Sequence, residues 1–313
     1  MLAAKYMHNL GYEVLPIFFS TPFFRPAKAQ KAAEIIGLDL IVHDLTQIYL
    51  PMLKNPRYGY GKNMNPCIDC HGLMFHTAGE LMDKYQVDFL ISGEVLGQRP
   101  MSQRRDAMNS VGKLSGKKDL LIRPLSQKLL SDTLPIREGW VKQEEMLDIQ
   151  GRGRYRQIEL AEKLGISDFE MPGGGCLLTD VGYGQRLADL YQHKMLELKY
   201  IDLLQAGRHF RISPTLKLIV GKDENDNAKL ANLISDETIL LLKDYAGPLA
   251  IIQSTAPASP AEMQTCANIL LRYSNKAPQK AEVKFGRNQQ MEKEITADKM
   301  AKSQVEKYLI NQG

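Results

Sequence analysis

Over the first 125 residues, short apolar runs alternate with amphipathic stretches. Leu2, Tyr6, Met7 and Leu10 recur at helical spacing, and Gly11 ends the turn. EVLPIFFS (13–20) follows as an apolar, strand-like run. Pro26 to Gly37 reads as a helix with Ala29, Ala32, Ala33, Ile35 and Ile36 available for packing, and DLIVHDL (39–45) as a second strand. A helix around 72–86 leads into VDFLISGE (87–94), a third strand, and LLIRPL (120–125) is a fourth. Strands this short, separated by helices, predict the α/β class: a doubly wound, mostly parallel sheet covered on both faces.

The pattern changes near residue 207. RISPTLKLIVGKDENDNAKLANLI reads as a strand, a glycine turn, a polar stretch and a helix. TILLLKDY and GPLAIIQS read as strands, and SPAEMQTCANILLRYSN as a helix opened by Ser259 with Pro260 behind it. A short strand, AEVKFG, and a charged C-terminal helix complete the pattern. Two domains are therefore expected, residues 1–206 and a smaller α+β domain over 207–313. In a doubly wound sheet the first strand is central and reaches its helix through a tight, glycine-containing loop. Here the pattern begins inside that helix. The expectation is a sheet whose first strand is absent, supplied by a longer natural product or in some other way, because an open ladder in mid-sheet is costly.

A length of 313 residues accommodates two such domains, and 44% apolar with 24% charged residues marks a globular chain. No apolar run reaches the length of a membrane span, and MLAAKYMHNLGYEV has no secretory-signal pattern, so a cytoplasmic location is expected. The net charge of +4 is unevenly spread. Residues 99–128 carry Arg99, Arg104, Arg105, Lys113, Lys117, Lys118, Arg123 and Lys128 against Asp106 and Asp119, a local excess of +6. This segment is either a polyanion-binding surface or a solvated face.

Four cysteines make spacing the next question. NPCIDCHG (65–72) sets Cys67 and Cys70 in a C-x-x-C ahead of a helix. Such a pair can bind a metal, form a redox disulfide, pass sulfur as a persulfide, or simply fill two small buried positions. A helix N-terminus would favour the thiolates. Cys176 follows three glycines in MPGGGCLLTD (171–180), a run that fits close approach of backbone to a ligand. Cys67, Cys70 and Cys176 could together hold an iron–sulfur cluster with one open position, with zinc, and His71 as fourth ligand, as the competing occupant. Cys266 sits in the apolar pattern of a core helix. SGEVLGQRPMSQ (92–103) follows a strand, where Gly93 permits close approach and Gln98, Ser102 and Gln103 offer neutral hydrogen-bonding groups for a nucleotide. GRGRYRQIELAEKLG (151–165) interleaves Arg152, Arg154 and Arg156 with Tyr155 at a helix start, suited to phosphate and an unpaired base or simply a basic helix end.

Taken together, SGEVLGQ…SQ followed by IRPL resembles the corresponding stretch of tRNA 4-thiouridine synthetases, with one extra residue between Gln98 and Ser102. LAAKYMHNLGYEV is similar to the helix and second strand that follow the S-G-G-x-D-S loop of PP-loop ATPases. NPCIDC is similar to a cysteine region of 2-thiouridylases, and PGGGCLLTD to the second cysteine motif of thiouridylase-like relatives. KLIVGKDENDNAKLANLI resembles the NFACT-R type of domain, a module associated with RNA binding. The resemblance implies an adenine nucleotide alpha-hydrolase (HUP-like) fold and an ATP-dependent tRNA sulfurtransferase. In that reaction ATP, with Mg, adenylates a uridine carbonyl oxygen, and persulfide or cluster-bound sulfur then displaces AMP. Carried over by position, Phe18, Phe19, Gly93, Gln98 and Gln103 would meet ATP, and Cys67, Cys70 and Cys176 would handle sulfur. Arg99, Arg104, Arg105, Lys117, Lys118, Arg152 and Arg154 would meet tRNA. A sulfur donor such as a cysteine desulfurase is implied as a partner, with no membrane; a homodimer is left open. Two departures stand out: the S-G-G-x-D-S loop is missing, and His71 stands where relatives usually carry lysine. The alternatives are a non-catalytic RNA-binding protein with a structural metal, and a PP-loop enzyme acting on a small molecule.

Overall fold

The computed structural model describes residues 1–169, 176–287 and 290–310. The chain divides into two compact units, Met1–Leu177 and Leu178–Gly313.

The first unit is built around α1 (Leu2–Asn9), which buries Ala3 and Met7, one turn apart. Ala3 packs with Val95, Leu125 and Ile149, and Met7 with Ile122, Val141 and Met146. Leu2 and Ala4 face Ile36 and Ala161. Full burial of each of the larger apolar side chains here stabilises the unit by about 1.5–3 kcal/mol. Strand β1 (Ile17–Ser20), helix α2 (Ala27–Ile36) and strand β2 (Ile41–Asp44) form a crossover, with β1 and β2 parallel and Ile17 opposite Ile41. Helices α3 (Thr46–Lys54), α4 (Cys67–Glu80) and α5 (Met82–Tyr85) lead to β3 (Leu90–Ile91). Next come α6 (Arg105–Ser115) and β4 (Leu121–Ile122), which is parallel to β3. Two short helices, α7 (Leu134–Arg137) and α8 (Tyr155–Lys163), follow.

The four expected strands are present, but among the described residues they form two separate parallel pairs, β1–β2 and β3–β4. The first strand is shorter than its apolar run: Pro16 has no N–H to give, and pairing begins at Ile17. The helix expected from residue 72 starts at Cys67, so both cysteines of the C-x-x-C lie in its first turn.

The second unit starts with α9 (Val181–Gln192), capped by the Asp180 carboxylate on the Tyr183 N–H, and α10 (Leu198–Ile201). It continues through β5 (Arg208–Ser213), β6 (Leu216–Val220), α11 (Glu224–Leu233), β7 (Thr238–Leu242) and β8 (Ala250–Ser254). Helix α12 (Pro260–Arg272), strands β9 (Lys280–Arg287) and β10 (Gln290–Asp298), and α13 (Lys302–Val305) complete it. The sheet is antiparallel, in the order β10-β9-β7-β8-β6-β5. One face carries Phe210, Leu218, Val220, Leu240 and Ile252 against Cys266, Ile269 and Leu270 of α12. Ser259 caps α12 as expected, and with Glu262 it forms a reciprocal capping box. On the other face Ile219 and Ile251 meet Leu203, Ala206 and Leu230.

Beside that second apolar cluster lies a buried polar layer. Arg211 donates through both Nε and Nη2 to Asp189 of α9, and the fully buried Lys217 lies 3.5 Å from the same carboxylate. Burial pulls the Lys217 amine down to about 7, against the pull of Asp189. Residues 178–206 are thus packed into the sheet. The charged C-terminal helix is short, α13, and it is preceded by β10, an edge strand with Ile295 and Ala297 turned to the core that the sequence pattern did not show.

Candidate functional site

Helix α4 places Cys67 and Cys70 at its start, and the loop before it is tied to that turn. The buried Asp69 carboxylate accepts the N–H groups of Arg57 (2.8 Å) and Tyr58 (3.0 Å). The Cys67 thiol accepts from Asn65 Nδ2 at 3.1 Å, while Asn65 Oδ1 takes the Asn63 N–H. Gly72, one turn on, lets α4 lie against α6: a Cβ there would stand 2.5 Å from Leu114 Cβ.

Tyr49 of α3 is 1% exposed, with its ring packed on Phe23 and Phe24. Its hydroxyl lies beside the Cys70 thiol without a hydrogen bond of ordinary geometry among the described residues. Burial, then Cys70, Cys176 and Cys67 in that order, raise its pKa well above the ordinary value. The thiols of Cys176 and Cys67 likewise act on Cys70. Cys176 and the distant Cys67–Cys70 pair therefore fall within electrostatic reach of one phenol. All four cysteines are reduced thiols in this structure.

Burial pushes the Cys70 thiol up to about 12, so at neutral pH it stays protonated. The helix N-terminus does not make a thiolate here, because desolvation outweighs it. Cys67 and Cys176 are only partly buried. Among the described residues, no three His, Cys, Asp or Glu side chains are grouped closely enough to hold a metal. The glycines before Cys176 lie outside the described residues, as do positions 170–172. Cys266, fully buried in α12, is core.

One turn beyond Cys67 on the same helix, His71 Nδ1 lies 2.8 Å from Glu94 Oε1. Glu94 is 5% exposed, and its other oxygen accepts from Arg123 Nε at 2.8 Å. Burial alone would raise the Glu94 carboxyl; His71 and Arg123 overcome it and hold the pKa at about 2. The sequence reading assigned no role to Glu94 and counted Arg123 with the basic surface. The signal was available, since Glu94 lies in SGE and Arg123 in IRPL, but their pairing is a long-range contact.

Gly93 and Gln98 line a cavity of about 230 Å³ together with the start of α1, Leu125, Arg154 and Gln157 of α8, and Phe169. Gly97, at φ +77°, turns the loop so that its N–H reaches the Gln103 carbonyl at 2.6 Å. The other residues expected at a nucleotide do not line this cavity. Gln103 is buried at 5% exposure beneath the loop, Phe19 is buried edge-on to His43, and Phe18 packs edge-on to Phe24.

Of the residues expected to meet RNA, Arg105 and Arg152 are exposed, and Arg99 and Arg154 are half-buried. Arg104 is exposed and pairs with Asp106. Lys117 and Lys118 are exposed at their ends, their stems lying over Gly79 and Gly112. Arg156 pairs with Asp148, whereas Tyr155 is 73% exposed. No helix among the described residues is long and apolar enough to cross a membrane.

Comparison with known proteins adds two independent likenesses. Residues 207–309 match the NFACT protein RNA binding domain, which points to RNA as a partner. A curated relative, the tRNA-specific 2-thiouridylase MnmA of Sulfurimonas denitrificans, is 30% identical over 105 residues. That match covers 30% of this chain, and the chain spans only 31% of the relative's length. A solved structure, the C-terminal part of the fibronectin/fibrinogen-binding protein from Streptococcus suis, is 12% identical. It covers 91% of this chain and all of its own, at a TM-score of 0.29, too low to bear on the fold.

Proposed function

We propose that this chain is an RNA-binding protein of tRNA sulfur transfer, with the thiols of the first unit handling sulfur. The carrying observation is that Cys67, Cys70 and Cys176 all act electrostatically on the buried Tyr49 hydroxyl, in a chain whose C-terminal third matches an RNA-binding domain. The two half-buried thiols, Cys67 and Cys176, are the sulfur-handling pair, one carrying a persulfide and the other releasing its sulfur as a disulfide forms. Cys70 remains a protonated neighbour. His71, oriented by Glu94, is the proton-handling group beside them.

ATP is the co-substrate that would activate the uridine carbonyl, and Gly93 and Gln98 are the residues of this chain that would approach it. A cavity of about 230 Å³ is too small for the whole nucleotide. No metal is required by this reading. The HUP-like sheet belongs to the proposal as well, supported by the two parallel pairs and the crossovers between their strands.

In cells whose gene carries Cys176→Ala, the thiolated nucleoside should disappear from tRNA hydrolysates analysed by mass spectrometry, while RNA still co-purifies with the protein. Unchanged thionucleosides would sink the sulfur role. A second reading, RNA binding without chemistry, is favoured by the domain match being confined to 207–309. It predicts that deleting the whole gene leaves every thionucleoside in place.

A further inference from the structure

We propose that the cavity bounded by α12, the end of β10 and α13 receives one nucleotide of a single-stranded RNA segment, its base met by Asn268 and its phosphate by Lys307. The assignment rests on the reading of this chain as an RNA-binding protein and names a place where that RNA is held.

The cavity, of about 550 Å³, lies wholly within residues 207–309, the stretch that matches the RNA-binding domain. Its size falls in the ~300–1,000 Å³ range of small-molecule sites, enough for a base with its sugar. Asn268 of α12 lines it with an amide whose direction is fixed. Its Oδ1 accepts from Gln264 Nε2 at 3.0 Å and from the Asp298 N–H at 2.9 Å. An amide held twice through its oxygen does not turn over, so Nδ2 is left to donate. Among the described residues, that nitrogen is neither bonded nor shut off from solvent. The acceptor it calls for is a carbonyl or ring nitrogen, which every unpaired base presents at its edge.

Charge points the same way. Four lysines stand on or beside the cavity, and three are already engaged. Lys299 Nζ donates to the Ala277 carbonyl at 2.9 Å, Lys280 faces the Asp298 carboxylate at 3.5 Å, and Lys302 pairs with Glu306 at 3.8 Å. Lys307 lines the cavity, is exposed, and has no carboxylate partner among the described residues. An ammonium of this kind suits a phosphate oxygen. Tyr308 and Met300, both half-buried against the domain core, supply the apolar wall on which a base ring can lie. One donor, one cation and one apolar wall are few contacts for a free mononucleotide. A chain held elsewhere by its other phosphates brings the nucleotide there at high local concentration.

The test uses the whole chain with two fluorescent decamers, decauridylate and its abasic counterpart, and uridine monophosphate as a third probe. Decauridylate should bind about tenfold more tightly than the abasic strand, in the range a single base contact supports. Asn268→Asp keeps the Oδ1 acceptor and removes the Nδ2 donor, and it should bring the preference below about threefold. Lys307→Gln should weaken both decamers alike and lower the slope of log affinity against log salt by about 0.7, the loss of one phosphate contact. Because Lys307 is exposed, this second variant keeps the test decisive even if Asn268→Asp lowers stability. Equal affinity for the two decamers, a preference that survives Asn268→Asp, or a salt slope untouched by Lys307→Gln overturns the nucleotide site while leaving the RNA reading intact. Binding of neither decamer overturns both. Uridine monophosphate bound as tightly as decauridylate, and lost in both variants, assigns the cavity to a free nucleotide and overturns the RNA assignment.

Discussion

Glu94 shows what one side chain does in the first unit. It neutralises a buried arginine with one oxygen and orients a histidine one turn beyond Cys67 with the other. Glu94→Gln would leave Arg123 as an uncompensated buried charge, and a loss of about 3–5 kcal/mol in denaturant unfolding is expected. Its pH dependence has a definite sign. The carboxyl sits near 2 in the folded protein against an ordinary 4.5, so the unfolded chain binds more protons between those values. This contribution is complete above pH 4.5 and fades as the pH falls toward 2, and the variant should lack that acid limb. The cysteines and the two motifs were legible in the sequence. That Glu94 and Arg123 partner each other was not, because 29 residues separate them and only the folded contact joins them. The charge state of Cys70 was misjudged for a similar reason: a motif shows a helix start, but burial is set by the residues packed over it.

Among the elements, α4 and α6 depend on contact without a side chain at Gly72. Gly72→Ala would bring a methyl to 2.5 Å from Leu114 Cβ, displacing the helix that carries Cys67, Cys70 and His71. Overpacking of this kind costs about 1–3 kcal/mol, visible as a lower melting temperature, with altered cysteine reactivity as a second readout. Apolar runs revealed β1 to β4 because parallel strands joined by crossover helices are nearly continuous in hydrophobicity, even where, as at Val42, one face stays open. Strand β10 was hidden by its own composition. Met291 and Ile295 are four apart and fit a helix as well as a strand, and the charges between them are what an edge strand carries. Pairing with β9, which no local pattern contains, decides the matter.

For the molecule as a whole, the domain expected to begin at 207 shares that start with the RNA-binding match, yet its packing reaches back to Leu178. A fragment beginning at 178 should unfold cooperatively. One beginning at 207 loses Asp189 and Leu203, leaves Arg211 and Lys217 without their carboxylate, and should melt lower or precipitate; calorimetry of the two distinguishes them. The same covering has a bearing on recognition. Helices occupy the second face over β5, β6 and β8, while Leu241, Lys284 and Glu294 mark its continuation across β7, β9 and β10, whose single aromatic ring, Phe285, packs toward the core. A polynucleotide laid there would find charge but nothing to stack on. Contact there would scarcely register the order of bases.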